Sequence, residues 1–269
     1  MPAKRTRERT AGEGSAVRSE ATPVELCRPD LERENRKGVP EVLMAQGKRH
    51  EDLLAIARQF VDRTGRAIVS RVDENLLVKL QAEFAGCIFS EHYPSRMVVV
   101  KRPDYRVQPT GGKVGVITAG TSDVPVAEEA RIVAAEMGCE TYAVYDVGVA
   151  GIHRLFEPLK ALIEEAQVDV LVVAAGMDGA LPSVVSGLVD VPVIGLPTSV
   201  GYGLGGRGLG ALISMLQTCS PGLTVVNIDN GVGAGATAAL IANRVARARG
   251  ARQSASIQRR EGPDVHEGV

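Results

Sequence analysis

The 269-residue chain has little of what several common functions require. Aromatic residues make up 3% of it and tryptophan is absent, which argues against a protein that binds single-stranded nucleic acid by stacking bases. No run of eighteen apolar residues is present, so we expect no membrane-spanning segment. The 31 Lys and Arg residues balance 32 Asp and Glu residues, and no overall field attracts nucleic acid or an acidic membrane. With a charged N-terminus unlike a signal sequence, this composition favours a cytoplasmic protein without nucleic-acid or membrane partners.

Cysteine and histidine are sparse as well, with four residues of each type. The cysteines lie far apart, without Cys-x-x-Cys spacing or the density of a disulfide framework, so reduced thiols are expected. The histidines form no His-x-x-x-His pattern, and no metal site is predicted with certainty. The cysteines are Cys27, Cys87, Cys139 and Cys219, and the histidines are His50, His92, His153 and His266. We expect the first three cysteines to be structural.

Changes in composition divide the chain into five parts. The first residues are rich in charge, Gly, Ser and Thr and include the basic run Lys4–Arg7. A nucleic-acid arm and a solvated tail are the alternatives there, and we favour the tail. Two prolines and a Gly pair mark a linker further on. We therefore predict a disordered tail (1–24), a small α/β domain (25–105), a linker (106–112), a catalytic domain (113–250) and a second disordered tail (251–269).

Apolar residues in the first domain alternate between helical and strand-like spacing. Helical spacing runs from Asp52 to Val61 and from Asp73 to Phe84. Short β-branched runs at Ala67–Ser70 and Met97–Val100 are typical of strands. This pattern predicts a small domain of mixed α/β structure.

In the second domain, apolar strands alternate strictly with helical segments. This alternation predicts a parallel sheet covered by helices on both faces. Right-handed crossovers then bring the loops after all strands to one edge of the sheet, which we call the rim. The predicted strands are Val114–Thr118, Thr141–Tyr145, Val168–Ala174, Val193–Leu196 and Leu223–Ile228, and the last helix is predicted from Ala234 to Arg247.

Two rim loops have the composition of anion-binding segments. The small-residue loop Thr118–Asp123 leads from a strand into a helix, whose N-terminus favours a phosphate or carboxylate. It lacks both the Gly-Lys-Ser/Thr of a Walker A sequence and the Gly-x-Gly-x-x-Gly fingerprint. Asp123 either caps this helix or binds a ribose or base, and the two roles are compatible. The run Ser199–Gly208 has five glycines, which let the backbone approach phosphates closely, and Arg207 is a candidate phosphate ligand.

Four rim segments together resemble the PurE-type aminoimidazole-ribonucleotide mutases, which move a carboxyl group on a nucleotide base. They are Ala-Gly-Thr-Ser-Asp123, Gly-Ile-His153-Arg154, Ala-Ala-Gly-Met-Asp-Gly-Ala-Leu-Pro182 and Val-Ile-Gly-Leu-Pro-Thr-Ser199. The match to the family's Ser-Asp, His-Arg and Leu-Pro-Gly segments is partial. The resemblance implies a flavodoxin-like, three-layer αβα domain.

Two further segments are similar to the LarB family, the pyridinium-3,5-biscarboxylic acid mononucleotide synthases of nickel-pincer-nucleotide biosynthesis. One is Arg36–Val42 with Gly47-Lys48, and the other runs from Ser214 to Gly233 through Gln-Thr-Cys219-Ser-Pro-Gly. The resemblance spans roughly residues 25–250 in order. It implies carboxylation of nicotinic acid adenine dinucleotide at ring carbon 5 by CO2 or bicarbonate, with phosphoanhydride cleavage that releases AMP. It also implies a homo-octamer.

The resemblance assigns roles to residues of this chain. Cys219 matches the family's nucleophile, although a buried small hydrophobe is the ordinary role of a free cysteine. His153 matches a proton-transfer residue of the PurE-like enzymes, with a helix cap or core histidine as the alternative. Asp178 stands where the LarB family more often has Glu. The predicted catalytic residues are Cys219, His153 and Asp178, and the predicted substrate-binding residues are Thr121, Ser122, Asp123, Arg154, Gly176, Met177, Ser199, Gly201, Arg207, Asp229 and Asn230.

We expect no tightly bound cofactor. Any Mg2+ would be held by substrate phosphates and water, because the sequence has no dense carboxylate cage. The expected partners are a small nucleotide substrate and CO2 or bicarbonate. A PurE-type mutase and a non-catalytic nucleotide-binding regulator are the alternative functions.

Overall fold

A computed structural model describes residues 28–260, with side chains described as far as residue 252. The predicted tail 1–24, Cys27 and His266 lie outside these residues. No helix in the described part of the chain is long and apolar enough to cross a membrane.

The first domain is a four-stranded mixed sheet with helices. Its elements are α1 (Arg33–Lys37), β1 (Val42–Met44), α2 (His50–Thr64), β2 (Arg66–Ser70), α3 (Glu74–Glu83), β3 (Ile88–His92) and β4 (Met97–Lys101). The strand order is β1-β2-β4-β3, and only the β1–β2 pair is parallel. Helix α2 buries Leu53, Ile56, Ala57 and Phe60 against the sheet, the spacing of one helical face.

The second domain is a five-stranded parallel sheet covered by helices. Its elements are β5 (Lys113–Thr118), α4 (Val124–Glu136), β6 (Glu140–Val144), α5 (His153–Lys160), β7 (Val170–Ala175), α6 (Leu181–Ser186), β8 (Val193–Pro197), α7 (Leu209–Leu216), β9 (Leu223–Val225) and α8 (Gly231–Arg260). The strand order β6-β5-β7-β8-β9 is the flavodoxin-like order 2-1-3-4-5. The predicted fold class is confirmed.

The two ends of this domain differ from the prediction. The last strand ends at Val225 instead of Ile228, because β9 pairs with β8 over only three residues at the sheet edge. Helix α8 continues to Arg260, although we predicted a disordered tail from residue 251. That prediction was wrong for residues 251–260, which contain neither Gly nor Pro and so offer nothing that ends a helix.

The two domains share one apolar core. One face of the first sheet, through Ile68, Met97 and Val99, belongs to the same buried cluster as Val133 of α4 and Ala238 of α8. Continuous packing of this kind fixes the first domain against the helices behind the rim.

A buried cation reinforces the contact between the domains. Arg66 is 2% exposed and donates to Glu136 at 2.9 Å and to Glu34 at 2.6 Å. Lys101 also pairs with Glu136, at 2.6 Å. A buried guanidinium needs such partners, because an unpaired charge in the interior is strongly destabilising.

Candidate functional site

The rim carries a cleft of about 270 Å³ between the loops that follow β5, β6, β7 and β8. Every strand of the parallel sheet ends at this edge, so the fold itself gathers these loops. Ser122, Asp123, Arg154, Gly176, Met177 and Asp178, all predicted site residues, line it. The remaining lining residues are Ala119, Gly120, Gly148, Val149, Ala150, Ala175, Ala180, Leu181 and Val200.

Asp123 is the most constrained polar group of the cleft. Its carboxylate is 3% exposed and accepts hydrogen bonds from the Gly120 N–H at 2.9 Å and the Thr198 hydroxyl at 2.6 Å. Burial raises the pKa of Asp123, while the hydrogen bonds from Thr198, Gly120 and Gly176 oppose the rise. Asp123 therefore ties the loops after β5, β7 and β8 together at the bottom of the cleft.

Gly176 allows the rim loops to approach one another. A Cβ atom at this position would overlap the carbonyl oxygen of Val200, which accepts a hydrogen bond from the Met177 N–H at 2.8 Å. Met177 has a positive φ of 51° and is 46% exposed. Its left-handed backbone is strained for a side chain of this kind, and such strain is concentrated at functional sites.

The start of α5, which follows the loop after β6, contributes Arg154 to the cleft. Its guanidinium pairs with Asp146 at 2.8 Å and remains partly exposed. A guanidinium at the mouth of a cleft is suited to a phosphate or carboxylate. The neighbouring His153 begins α5 and is exposed, and it is not among the lining residues.

Asp178 lines the cleft at its open side. It is exposed, and its carboxylate accepts a 3.4 Å hydrogen bond from the Ala180 N–H. This weak contact leaves most of the carboxylate's acceptor capacity available to a ligand or a water.

The loops after β8 and β9 meet beside the cleft through Asp229. Its carboxylate accepts a hydrogen bond from the Ser199 N–H at 2.8 Å, and its backbone has a positive φ of 54°. The Arg71 guanidinium of the first domain donates to the Asp229 carbonyl oxygen at 3.1 Å. Two predicted residues, Ser199 and Asp229, thus hold the loops in place without lining the cleft.

Glu129 is a buried carboxyl that the sequence did not single out. Its side chain is 7% exposed and lies 4.0 Å from Arg71. Burial raises its pKa to about 7, Arg71 opposes the rise and Asp229 adds to it. Glu129 lies on the face of α4 that packs inward. Its spacing in the sequence is that of an ordinary buried helix position, so it did not indicate a functional residue. Thr198 was missed for a similar reason, since a threonine after a strand is common in any loop.

Four other predicted residues do not line the cleft. Thr121 and Arg207 are exposed, and Gly201 packs over the Met177 backbone. Asn230 accepts a hydrogen bond from the Gly233 N–H at 2.9 Å and caps the start of α8.

Cys219, the predicted nucleophile, does not lie on the rim. It precedes β9, and the neighbouring Gly222 carbonyl accepts from the N–H of Val193, the first residue of β8. Residues that precede strands of a parallel sheet lie at the strands' amino ends, opposite the rim. Both residues are therefore a strand length of about 15 Å from the rim. Cys219 is exposed there. Strand β9 separates Cys219 from Asp229, which lies after the strand beside the cleft.

No groups of three or more His, Cys, Asp or Glu side chains within residues 28–252 are arranged to hold a metal ion. Cys139 is buried, and burial raises the pKa of its thiol to about 11, which makes it unreactive.

Comparisons with known proteins match both domains. Residues 113–262 match the model of the AIR carboxylase family, and residues 21–102 match a LarB/PurE-like N-terminal domain. An uncharacterized protein of Methanocaldococcus jannaschii is 44% identical over 81% of this chain and 84% of its own. The N5-carboxyaminoimidazole ribonucleotide mutase of the same organism is 33% identical over 47% of this chain and 74% of its own.

A crystal structure of a singly substituted PurE2 from Treponema denticola has a TM-score of 0.40 at 16% identity and covers 58% of this chain and 99% of its own. The fold assignment rests on the strand order described above. A LarB/PurE-like N-terminal domain followed by an AIR carboxylase domain is a LarB-like architecture. The chain therefore belongs to the AIR carboxylase family, as a member whose carboxylase domain follows a LarB/PurE-like N-terminal domain.

Proposed function

We propose that this protein carboxylates nicotinic acid adenine dinucleotide at ring carbon 5 with CO2 or bicarbonate and cleaves its phosphoanhydride to release AMP. The product is pyridinium-3,5-biscarboxylic acid mononucleotide, the first intermediate of nickel-pincer nucleotide biosynthesis. One observation carries the proposal: an exposed cysteine, Cys219, occurs in a chain that has both the LarB/PurE-like and the AIR carboxylase domains.

A thiolate answers the main chemical difficulty of this reaction. The pyridinium ring is electron-poor, and its carbon 5 cannot attack CO2 until a nucleophile has added to the ring. Addition of the Cys219 thiolate gives a neutral dihydropyridine whose carbon 5 is enamine-like and attacks CO2. A base then removes the carbon-5 proton, the ring becomes aromatic again and the thiolate leaves. Asp178, on the open side of the cleft, is our candidate base, acting directly or through a water.

Because Cys219 lies far from the cleft of its own chain, we propose that each active site is formed by two copies of the chain. The cleft and Cys219 lie at opposite edges of the sheet, so the thiol of one copy reaches a substrate held by another. The surface beside Cys219 suits such a contact, because Leu209, Ile213 and Leu216 form an apolar stripe on α7 that is more than half exposed. A homo-octamer is the assembly we propose.

A PurE-type mutase acting on an aminoimidazole ribonucleotide is the alternative. The family match of the second domain and the mutases among its relatives favour it. That chemistry needs no thiol, so the two proposals differ in their dependence on Cys219. For the dinucleotide, any Mg2+ would bind the substrate phosphates to assist phosphoanhydride cleavage.

A substitution of Cys219 tests the proposal. We expect the wild-type protein to consume nicotinic acid adenine dinucleotide and release AMP when CO2 is supplied, and the Cys219→Ser variant to be at least about a thousandfold slower. Cys87→Ser, at a partly buried thiol of the first domain, is the matched control and retains activity. Turnover of N5-carboxyaminoimidazole ribonucleotide that survives Cys219→Ser would overturn the proposal in favour of the mutase.

A further inference from the structure

The first domain has a cleft of its own, which we call the N-terminal cleft. It consists of two adjoining cavities of about 360 and 420 Å³ that share Asp73 and Arg96. Their volumes are in the range of small-molecule sites. The first cavity is lined by basic residues and the second by apolar and aromatic ones.

The basic cavity has more positive charge than the chain neutralises. Lys48, Arg71 and Arg96 line it. Lys48 donates to the Met44 carbonyl oxygen, and Arg96 donates to the Val72 carbonyl oxygen at 2.9 Å. Within residues 28–252, neither cation has a carboxylate within 4.0 Å.

The acidic groups near this cavity cancel only part of that charge, and the Asp73 carboxylate already interacts with Arg96. Arg71 donates to the Gln46 side chain, and the nearest carboxyl, Glu129, is 4.0 Å away. The Asp73 carboxylate is engaged by His50 at 3.3 Å and by the Leu76 N–H at 2.8 Å. The remaining positive charge suits an anion, and above all a phosphate, which guanidinium and ammonium groups bind strongly.

Two strained arginines frame this cavity. Arg71 and Arg96 both have positive φ, 58° and 56°, although neither is Gly or Asn. The Val72 N–H between them donates to the Arg96 carbonyl oxygen at 2.9 Å, which locks the two turns together. The fold thus holds both guanidinium groups at the same cavity in a backbone conformation that arginine rarely adopts.

The adjoining cavity has the properties of a base-binding pocket. Leu77, Met97 and Val98 give it apolar walls, and the ring of Tyr93 at its edge is 88% exposed. An exposed tyrosine next to an apolar pocket offers a face on which a heteroaromatic ring stacks. Glu74 and Glu91 line the same cavity, and their carboxylates are able to accept hydrogen bonds from an exocyclic amino group.

We propose that the N-terminal cleft binds a purine nucleoside monophosphate, with the phosphate against Lys48 and Arg96 and the base against Tyr93. Apolar, aromatic and acidic groups line one cavity and three incompletely neutralised cations line the other, which fits a base joined to a phosphate. The cleft adjoins the rim loops, because Arg71 lines it and also donates to the Asp229 carbonyl oxygen. The proposal does not depend on the reaction assigned above.

Calorimetric titration of the full chain with AMP, GMP and UMP tests this assignment. We expect AMP and GMP to bind and UMP, which has no exocyclic amino group, to bind at least about tenfold more weakly. Lys48→Met, which keeps the apolar stem, and Tyr93→Ala each weaken AMP binding by about tenfold or more. Lys79→Met, at a lysine of α3 that pairs with Glu51 outside both cavities, changes the AMP affinity by less than about twofold.

Two results would overturn the proposal. One is the absence of AMP binding to the folded wild-type protein at millimolar concentration. The other is AMP binding that Asp123→Asn abolishes and Lys48→Met leaves unchanged, since it places the nucleotide in the rim cleft. Both readouts are binding constants, so a failure of the proposed carboxylation leaves their interpretation unaffected.

Discussion

Asp123 is the single side chain on which the geometry of the rim cleft depends most. One of its oxygens accepts a hydrogen bond from the Gly120 N–H after β5, and the other accepts one from the Thr198 hydroxyl after β8. In Asp123→Asn one acceptor oxygen is replaced by an amide N–H, which cannot accept, and the charge that strengthens the hydrogen bonds to the carboxylate is lost. We expect a loss of about 1–3 kcal/mol in the free energy of unfolding and a fall of about a hundredfold or more in kcat/KM for the dinucleotide.

Denaturant titration and steady-state kinetics on the same preparation measure both effects. Asp62→Asn removes an exposed carboxylate on α2 of the first domain and serves as the control. Equal kinetic losses in the two variants would contradict a specific role for Asp123.

Glu129 makes stability depend on pH. Its folded pKa of about 7 is above the ordinary 4.5, so between these values the folded protein binds the proton more tightly than the unfolded chain. Its contribution to stability is therefore fully present below about pH 4.5 and is lost as pH rises through about 7. Glu129→Gln removes this dependence. We therefore expect the difference in free energy of unfolding between the variant and the wild type to shift in favour of the variant by up to about 3 kcal/mol from pH 5 to pH 8. Urea denaturation at both pH values measures it, and a pH-independent difference would contradict the buried, unneutralised carboxyl.

Patterns of spacing predicted most elements of the fold, because each long strand and helix buries a continuous or one-sided apolar surface. Strands β1 and β3 were missed for the converse reason. β1 is an apolar run of only three residues, too short to indicate a strand, and β3 (Ile88–His92) is partly exposed along its length and has no apolar run. β3 forms only because its neighbour β4 offers a paired edge. Pairing of this kind depends on the tertiary structure and cannot be predicted from the local sequence alone.

The packing of α4 on α8 depends on a glycine at the contact. A Cβ atom at Gly235 would overlap the carbonyl oxygen of Ala130, whereas a Cβ at Gly250 in the same helix meets no atom within 4 Å. We expect Gly235→Ala to destabilise the fold by about 1–3 kcal/mol. Gly250→Ala is the matched control and is neutral or stabilising by about 0.5–1 kcal/mol, because alanine favours helix more than glycine does. Thermal or urea denaturation compares them, and equal stabilities would show that the helices do not pack this closely.

At the scale of the whole molecule, the sequence identified the loops of the cleft but not the position of Cys219. The order of strands follows from alternation, so residues after β5 and β7, such as Asp123 and Gly176, were correctly brought together. Cys219 follows a helix and precedes a strand, which puts it at the opposite edge in any parallel sheet of this handedness. Contacts between copies leave no periodic signal in one chain.

A shared active site predicts that two inactive variants complement each other. Asp123→Asn damages the cleft and Cys219→Ser removes the thiol, but mixed oligomers contain sites in which both residues are intact. Co-expression of the two variants in equal amounts is expected to recover about a quarter of wild-type activity, as random assembly dictates for a two-copy site. Activity no greater than that of either variant alone would contradict a thiol supplied by a second copy.

The most direct test follows the fate of the carboxyl group. The wild-type protein is incubated with nicotinic acid adenine dinucleotide and isotopically labelled bicarbonate, and the nucleotides are separated. We predict label in a mononucleotide product, an equal amount of AMP, and neither in the Cys219→Ser variant. A folded, oligomeric wild-type preparation that yields no labelled mononucleotide would contradict the proposed function.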